Sequence, residues 1–393
     1  MGLFENCSLN IEKYKGSIYI CVFALLSTLK VSFLLNINQY LLALIVSVLL
    51  FCTYVTNKKM YKYDAVTISM FALFLASAIF STRGNLNSYI GIILLIIPFF
   101  FICSLKSEYK LLLIKCLDKV LSITITFSLI AWCIYLLGFP LPHHFYSWGS
   151  YDFDDYYFFI KIQDIISYYS FPRFQYVFTE PGYFGCLCVI MIYLHEYDFK
   201  KWQTIIYVAA LVLTFSLAGY ILFFVGFIPF FLIKKKGKLK YALTFVVLCF
   251  LFYYLVMVNK DNVFASMFAY RLQFEDGAMV EYNRTSFDFE NWWNSYYLME
   301  GNLFFGNDTM LTNMFHDELV GVDLRVFVAR YGIVALILYL WSMIYYYSRN
   351  KSRLGFFYLL IFLIFYYRGY TVMFYMGFPM LYVLGISLLK ENK

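Results

Sequence analysis

Apolar residues in this chain neither alternate nor recur at intervals of three and four; they run on for lengths near those of a bilayer crossing. An α-helix needs about 20 predominantly apolar residues to cross a hydrocarbon core about 30 Å thick. Stretches of that order lie at 17–35, 38–56, 64–80, 88–105, 119–138, 181–197, 202–217, 219–233, 241–258, 325–347, 354–368 and 370–389. The pattern predicts an all-α fold, a polytopic transmembrane helix bundle of about 12 spans forming one integral membrane domain over 1–393. The seventh and eighth stretches are one apolar run, 202–233, and the small residues around Gly219 predict a tight turn within it. Two connections are long, 139–180 and 259–324, and long connections are commonly functional.

The polar residues between the spans sort by type. With the N-terminus inside, lysine clusters fall on inner segments: Lys13 and Lys15, Lys58 to Lys62, Lys106 to Lys119, Lys200 and Lys201, Lys234 to Lys240, and Lys390 and Lys393. Lysine gathered at span ends on one side is the positive-inside pattern, so both termini are expected in the cytoplasm. Arg83, Arg173, Arg271, Arg284, Arg325, Arg330 and Arg368 fall on the other side, against that bias. A guanidinium is a planar fork suited to bidentate capture of phosphate or carboxylate, which an ammonium is not. The split predicts a protein that handles an anionic substrate on its extracytoplasmic face.

Composition narrows the class. The chain is 62% hydrophobic and 14% charged, against roughly 45–50% and 25% for a soluble domain. The net charge of +7 is the orienting lysine; no basic stripe or nucleic-acid motif accompanies it, so no nucleic-acid partner is expected. None of the nine cysteines falls in the two long loops, which argues against a disulfide framework there. The N-terminus lacks the layout of a cleaved signal peptide, and its first span is expected to be retained.

Both long loops are rich in aromatics: Tyr151 to Phe174 in the first, and Phe287 to Tyr297 in the second, where Thr285 or Ser286 caps an expected helix carrying Phe289, Trp292, Trp293 and Tyr296. An interfacial helix belted with Tyr and Trp explains these rings most simply; an aromatic platform for sugar rings is the sharper alternative. Asp152, Asp154 and Asp155 are the nearest approach to a metal-binding acidic run, and no metal site is expected from them.

The densest polar constellation runs from Arg173 through Thr179, Glu180, Pro181 and Gly182 to Gly185. Pro181 suits the first position of a helix, and a carboxylate at a helix N-terminus is favoured by the dipole. This arrangement, an arginine, a short apolar run and Glu-Pro-Gly opening a helix, resembles the O-antigen polymerase and ligase superfamily of bacterial membrane glycosyltransferases. Leu213 to Tyr220, with Ser216 and Gly219, is similar to the serine-containing turn that follows in that family. Arg284, the turn Leu303 to Asn307, His316 and the span opening Asp323-Leu324-Arg325 and continuing to Arg330-Tyr331-Gly332 also match its order. The likeness covers roughly 170–335. His316 is followed by Asp317, not by the Asn of the ligase branch, which favours the polymerase branch.

The resemblance implies oligosaccharide repeat units on undecaprenyl diphosphate as substrates, membrane lipids as surroundings, no cofactor, and a surface polysaccharide such as O antigen or capsule as product, made on the outer face of the bacterial inner membrane. It leaves open whether a chain-length regulator binds. Arg173, Arg284, Arg271 and Arg325 are the expected diphosphate ligands, because preorganised cations best meet the charge developing on that leaving group. Glu180, His316 and Asp323 are the expected candidates for a general base. Ligase-type transfer of finished polymer is the nearest rival. A flippase or transporter is further off, since such proteins show repeated halves and mid-membrane charges that this sequence lacks.

Overall fold

A computed structural model of the chain describes residues 2–28, 39–62, 97–148, 151–163, 172–178, 180–233, 287–297, 303–307, 324–348, 360–364 and 377–391, with single residues and pairs between them. Most of the described residues are helical. In chain order the principal elements are α1 (Gly2–Thr28), α2 (Gln39–Thr56), α3 (Ser107–Leu136), β1 (His143–Trp148), β2 (Tyr151–Tyr156), β3 (Ile160–Gln163), α4 (Pro181–Leu194), α5 (Trp202–Leu213), α6 (Leu217–Ile233), α7 (Phe287–Trp292), α8 (Leu324–Ser348) and α9 (Gly377–Glu391). Much of the predicted spans 64–80, 88–105, 241–258 and 354–368 lies outside the described residues. Among the described residues, α3 alone is both long and apolar enough to cross a membrane by itself.

Contacts divide the chain into two compact units, Met1–Leu121 with Phe287–Lys393, and Ser122–Ser286. In the first unit α1 packs on α2 and touches α9. Ile18, Cys21 and Leu25 of α1 and Val46 and Leu50 of α2 are buried, and Asn57 Nδ2 donates to Ser17 Oγ at 2.9 Å. Elsewhere the helices leave apolar stripes uncovered. On α2 the exposed positions are Leu41, Leu44, Ile45, Val48, Phe51 and Val55; on α3 they are Ile123, Phe127, Ile130 and Ile134; on α8, Ile337, Trp341 and Ile344. The spacing of three and four puts each set on one helix face.

The predicted span 325–347 is broken. Gly332, inside α8, has φ 82° and ψ 166°, a region essentially closed to residues with a Cβ. Around the break, residues of the second long loop bond to two carbonyls and two N–H groups of α8. Val328 O accepts from the Tyr297 hydroxyl at 3.2 Å, and Ala329 O from Asn307 N–H at 2.8 Å. Ile333 N–H donates to Leu303 O at 2.9 Å and Val334 N–H to Phe304 O at 3.1 Å. So close is the approach that a Cβ on Gly332 would overlap the Phe304 carbonyl, and one on Gly306 would overlap Arg330.

The first long loop departs from the all-α expectation. Residues 143–163 form a three-stranded antiparallel sheet in the order β1-β2-β3, with His143 opposite Tyr156 and Asp155 opposite Lys161. Its Tyr, Phe and Ile content suits strands, and continuous hydropathy obscured the alternation. In the same unit α4 is buried at every position and packs on α5 and α6. The 202–233 run turns at Thr214–Ser216, not at Gly219; Gly219 lies within the first turn of α6, facing Leu211 and Ser216. These three helices have 14, 12 and 17 residues; the first two are below the length of a full crossing and the third is at its lower limit.

Gly332→Ala is expected to lower stability by about 3 kcal/mol or more, since the backbone conformation and the space both exclude a methyl group. Thermal unfolding of the purified protein in detergent measures it; a melting temperature like the parent's would contradict the break as described.

Candidate functional site

Arg173 is built into the turn between α5 and α6. The turn is stabilised first by its own hydroxyls. Thr214 Oγ1 donates to Leu211 O at 2.7 Å and accepts from Ser216 N–H at 3.2 Å. Ser216 Oγ accepts from Gly219 N–H at 3.3 Å, the N-cap arrangement that satisfies an orphan donor in the first turn of a helix. Between them Phe215 is held at φ 48°, a left-handed conformation that costs a bulky residue about 1–2 kcal/mol. The carbonyls left at this turn point to Arg173: Nε donates to Thr214 O at 2.9 Å and Nη2 to Phe215 O at 3.4 Å. Phe174 N–H reinforces the contact through Leu213 O at 2.9 Å.

Arginine usually grips a phosphate or carboxylate with a two-donor edge. Here the Nε–Nη2 edge is occupied by backbone oxygens. The guanidinium is half-buried and its orientation is set before any ligand arrives.

After Arg173 the chain is buried from Phe174 through Phe178. Phe174, Tyr176 and Phe178 stack around Phe184 of α4, with centroids 5.6, 5.4 and 5.8 Å away. The Tyr176 hydroxyl donates to Thr124 Oγ1 of α3 at 2.8 Å, and burial pushes this phenol up to about 12. Glu180 then takes the N-cap position of α4 with Pro181 next, as predicted. Its backbone is extended and its side chain does not cap the helix. The Glu180 carbonyl accepts from Tyr183 N–H at 3.2 Å, and the residue is half-exposed.

Arg325 is in the other unit, in the first turn of α8, where Nη2 meets Glu290 Oε1 of α7 at 3.0 Å. A cation at a helix N-terminus opposes the dipole, and Glu290 offsets that. This expected diphosphate ligand is thus already paired with a carboxylate. Arg330, near the helix break, is only 6% exposed. Arg271, Arg284, His316 and Asp323 lie outside the described residues.

The described rings of the aromatic helix in the second loop pack together as a small core. A π-helical turn over Trp293–Tyr297 follows α7. The wider turn moves the register by one residue, bringing Tyr297 under the indoles: its ring stacks on Trp293 at 4.8 Å and lies 5.0 Å from Trp292. Phe289, Trp292, Trp293, Tyr297 and Phe315 are all buried.

Sequence reasoning passed over Lys161. Its side chain is completely buried, with Nζ 4.4 Å from the centre of the Phe153 ring and Asp155 directly opposite in the sheet. Burial lowers its ammonium to about 8, against the opposing pull of Asp155. The available signal was its address: lysines concentrate on the segments expected to face inward, and Lys161 lies in a connection expected to face outward. Of the acidic run in β2, Asp154 approaches His143 Nε2 at 3.8 Å.

No family model, no characterised protein and no solved structure matches this chain.

Arg173→Ala is expected to cost about 1–3 kcal/mol, because two turn carbonyls lose a charged donor in a buried setting. Arg325→Ala should cost at most about 1 kcal/mol, since that pair is partly solvated. Unfolding temperatures of the two variants decide the order, and the reverse order would contradict the turn-holding role of Arg173.

Proposed function

We propose that the chain is an integral membrane glycosyltransferase of about twelve spans, both termini cytoplasmic, that polymerises undecaprenyl-diphosphate-linked repeat units on the outer face of a bacterial cytoplasmic membrane. The supporting observation is Arg173, a guanidinium oriented by two backbone carbonyls in the segment that leads into the Glu180–Pro181 helix start. The membrane part of the reading is supported by the uncovered apolar stripes of α2, α3 and α8. Stripes of that length are out of place in water and natural against acyl chains.

The chemistry follows. A hydroxyl of the incoming repeat unit attacks the anomeric carbon that joins the growing glycan to its lipid diphosphate. The new glycosidic bond forms, the anomeric carbon–oxygen bond to phosphate breaks, and undecaprenyl diphosphate leaves with the bonding pair. Charge grows on the departing phosphate oxygen, where fixed guanidinium groups act most strongly. Arg173, oriented by the turn carbonyls, is the first candidate ligand, with Arg284 and Arg271 as further ones. The hydroxyl proton passes to a base, for which Glu180, His316 and Asp323 are candidates; a positioned base contributes about 10²–10⁴-fold. Among the described residues Glu180 is the candidate, half-exposed at the start of a buried helix.

Arg284→Ala and Glu180→Gln are expected to reach the membrane at parental levels yet leave cells with single repeat units instead of a polymer ladder on a glycan gel. Full ladders from both variants would defeat the assignment. Long lipid-linked chains in cells lacking the protein would point to a ligase, and chain growth by the purified protein in detergent separates an enzyme from a flippase.

A further inference from the structure

We propose that the first long loop re-enters the membrane, so that the β2–β3 tip, Tyr157–Phe159, lies among acyl chains of the outer leaflet instead of in the aqueous space. The inference rests on the membrane reading given above. It starts from α3, whose 30 residues make it the helix among those described that spans unaided. Its outer end is Leu136, where the sequence leaves the helix through Gly138 and Pro140.

The loop does not rise from that end; it comes back down the helix. Tyr156, the last residue of β2, sets its ring 5.5 Å from that of Tyr135, one residue from the top of α3. Three residues on, the Phe159 carbonyl accepts from Ser128 Oγ at 2.7 Å. Ser128 is eight residues below Leu136, which is about 12 Å along a helix axis. The Tyr176 hydroxyl reaches Thr124, about 18 Å below the same end. An outer leaflet contributes only about 15 Å of hydrocarbon, so the Ser128 contact lies deep within it and the Thr124 contact lies beyond its inner limit.

The surface of the tip suits that place. Tyr157, Phe158 and Phe159 are all exposed, Tyr157 to 72%, and none carries a charge. Beside them runs the uncovered stripe Phe127, Ile130 and Ile134 of α3, continued by Leu137. Tip and stripe are contiguous in height, and what covers the stripe of a membrane-crossing helix covers the tip: phospholipid acyl chains.

Non-helical polar groups in that environment need partners inside the protein, and several of the loop's groups have them. Tyr157 N–H donates to Pro142 O, Lys161 N–H to Tyr176 O and Phe174 N–H to Leu213 O; Phe159 O has Ser128 Oγ. Short helices complete the arrangement, since the α5–α6 turn that Arg173 holds also lies within the apolar run 202–233.

An environment-sensitive acridone amino acid, placed at Phe158 or at Phe127 in the full-length protein in lipid nanodiscs, tests this. Nitroxides on acyl chains and aqueous iodide serve as quenchers, with the free dye in buffer as the aqueous limit. The Phe158 probe is expected to be quenched by the lipid nitroxides as strongly as the Phe127 probe and to be shielded from iodide. Iodide quenching at 158 near the aqueous limit, with 127 still lipid-quenched, overturns the re-entrant loop and leaves the membrane reading intact. Iodide quenching at both positions overturns the membrane reading itself.

Discussion

A backbone that leaves the helical ladder must find hydrogen-bond partners for its N–H and C=O groups, and in apolar surroundings water does not supply them. This constraint organises both units of the protein. In α8, beside the break at Gly332, Tyr297, Leu303, Phe304 and Asn307 bond to two carbonyls and two N–H groups. In the 202–233 run the turn at Thr214–Ser216 is held by its own hydroxyls and by the guanidinium of Arg173. Irregular backbone is tolerated at these points because a specific partner meets each group.

The same constraint gives the arginines distinct roles. Arg173 is a donor to carbonyls before it can be a ligand to anything else. Arg325 balances Glu290 and ties α7 to the start of α8. Both are outer-segment arginines by sequence, yet one is fixed by backbone and the other by a carboxylate. For a cation that is to meet charge developing in a transition state, the first arrangement is the more useful: it orients the group without neutralising it.

Aromatic residues do structural work in both long loops. Phe174, Tyr176, Phe178 and Phe184 form a cluster behind Arg173, and Phe289, Trp292, Trp293 and Tyr297 form another behind the broken helix. Edge-to-face and offset ring pairs each contribute about 0.5–1.5 kcal/mol beyond the area they bury. They give irregular segments a core of their own. The rings of the hairpin tip, Tyr157–Phe159, are the exposed counterpart.

Much of this was legible in the residues. Unbroken apolar runs predicted helices, and α2, α4 and α8 begin within one residue of the predicted limits 38, 181 and 325. Pro181 marked a helix start because its ring suits the first helical position, and the local rule held. The turn inside 202–233 was predicted for the right reason but at the wrong residue: small side chains permitted a turn near Gly219, while hydroxyl caps and an arginine 41 positions upstream selected Thr214–Ser216. The sheet of the first loop, the break at Gly332 and the burial of Lys161 were hidden. Each depends on partners distant in sequence, and periodicity carries only local information. Composition and local chemistry determined which segments are apolar, where helices open and where arginine replaces lysine. Tertiary structure decided which backbone groups meet, and therefore how each arginine is held, because a hydrogen bond needs both of its partners in place at once.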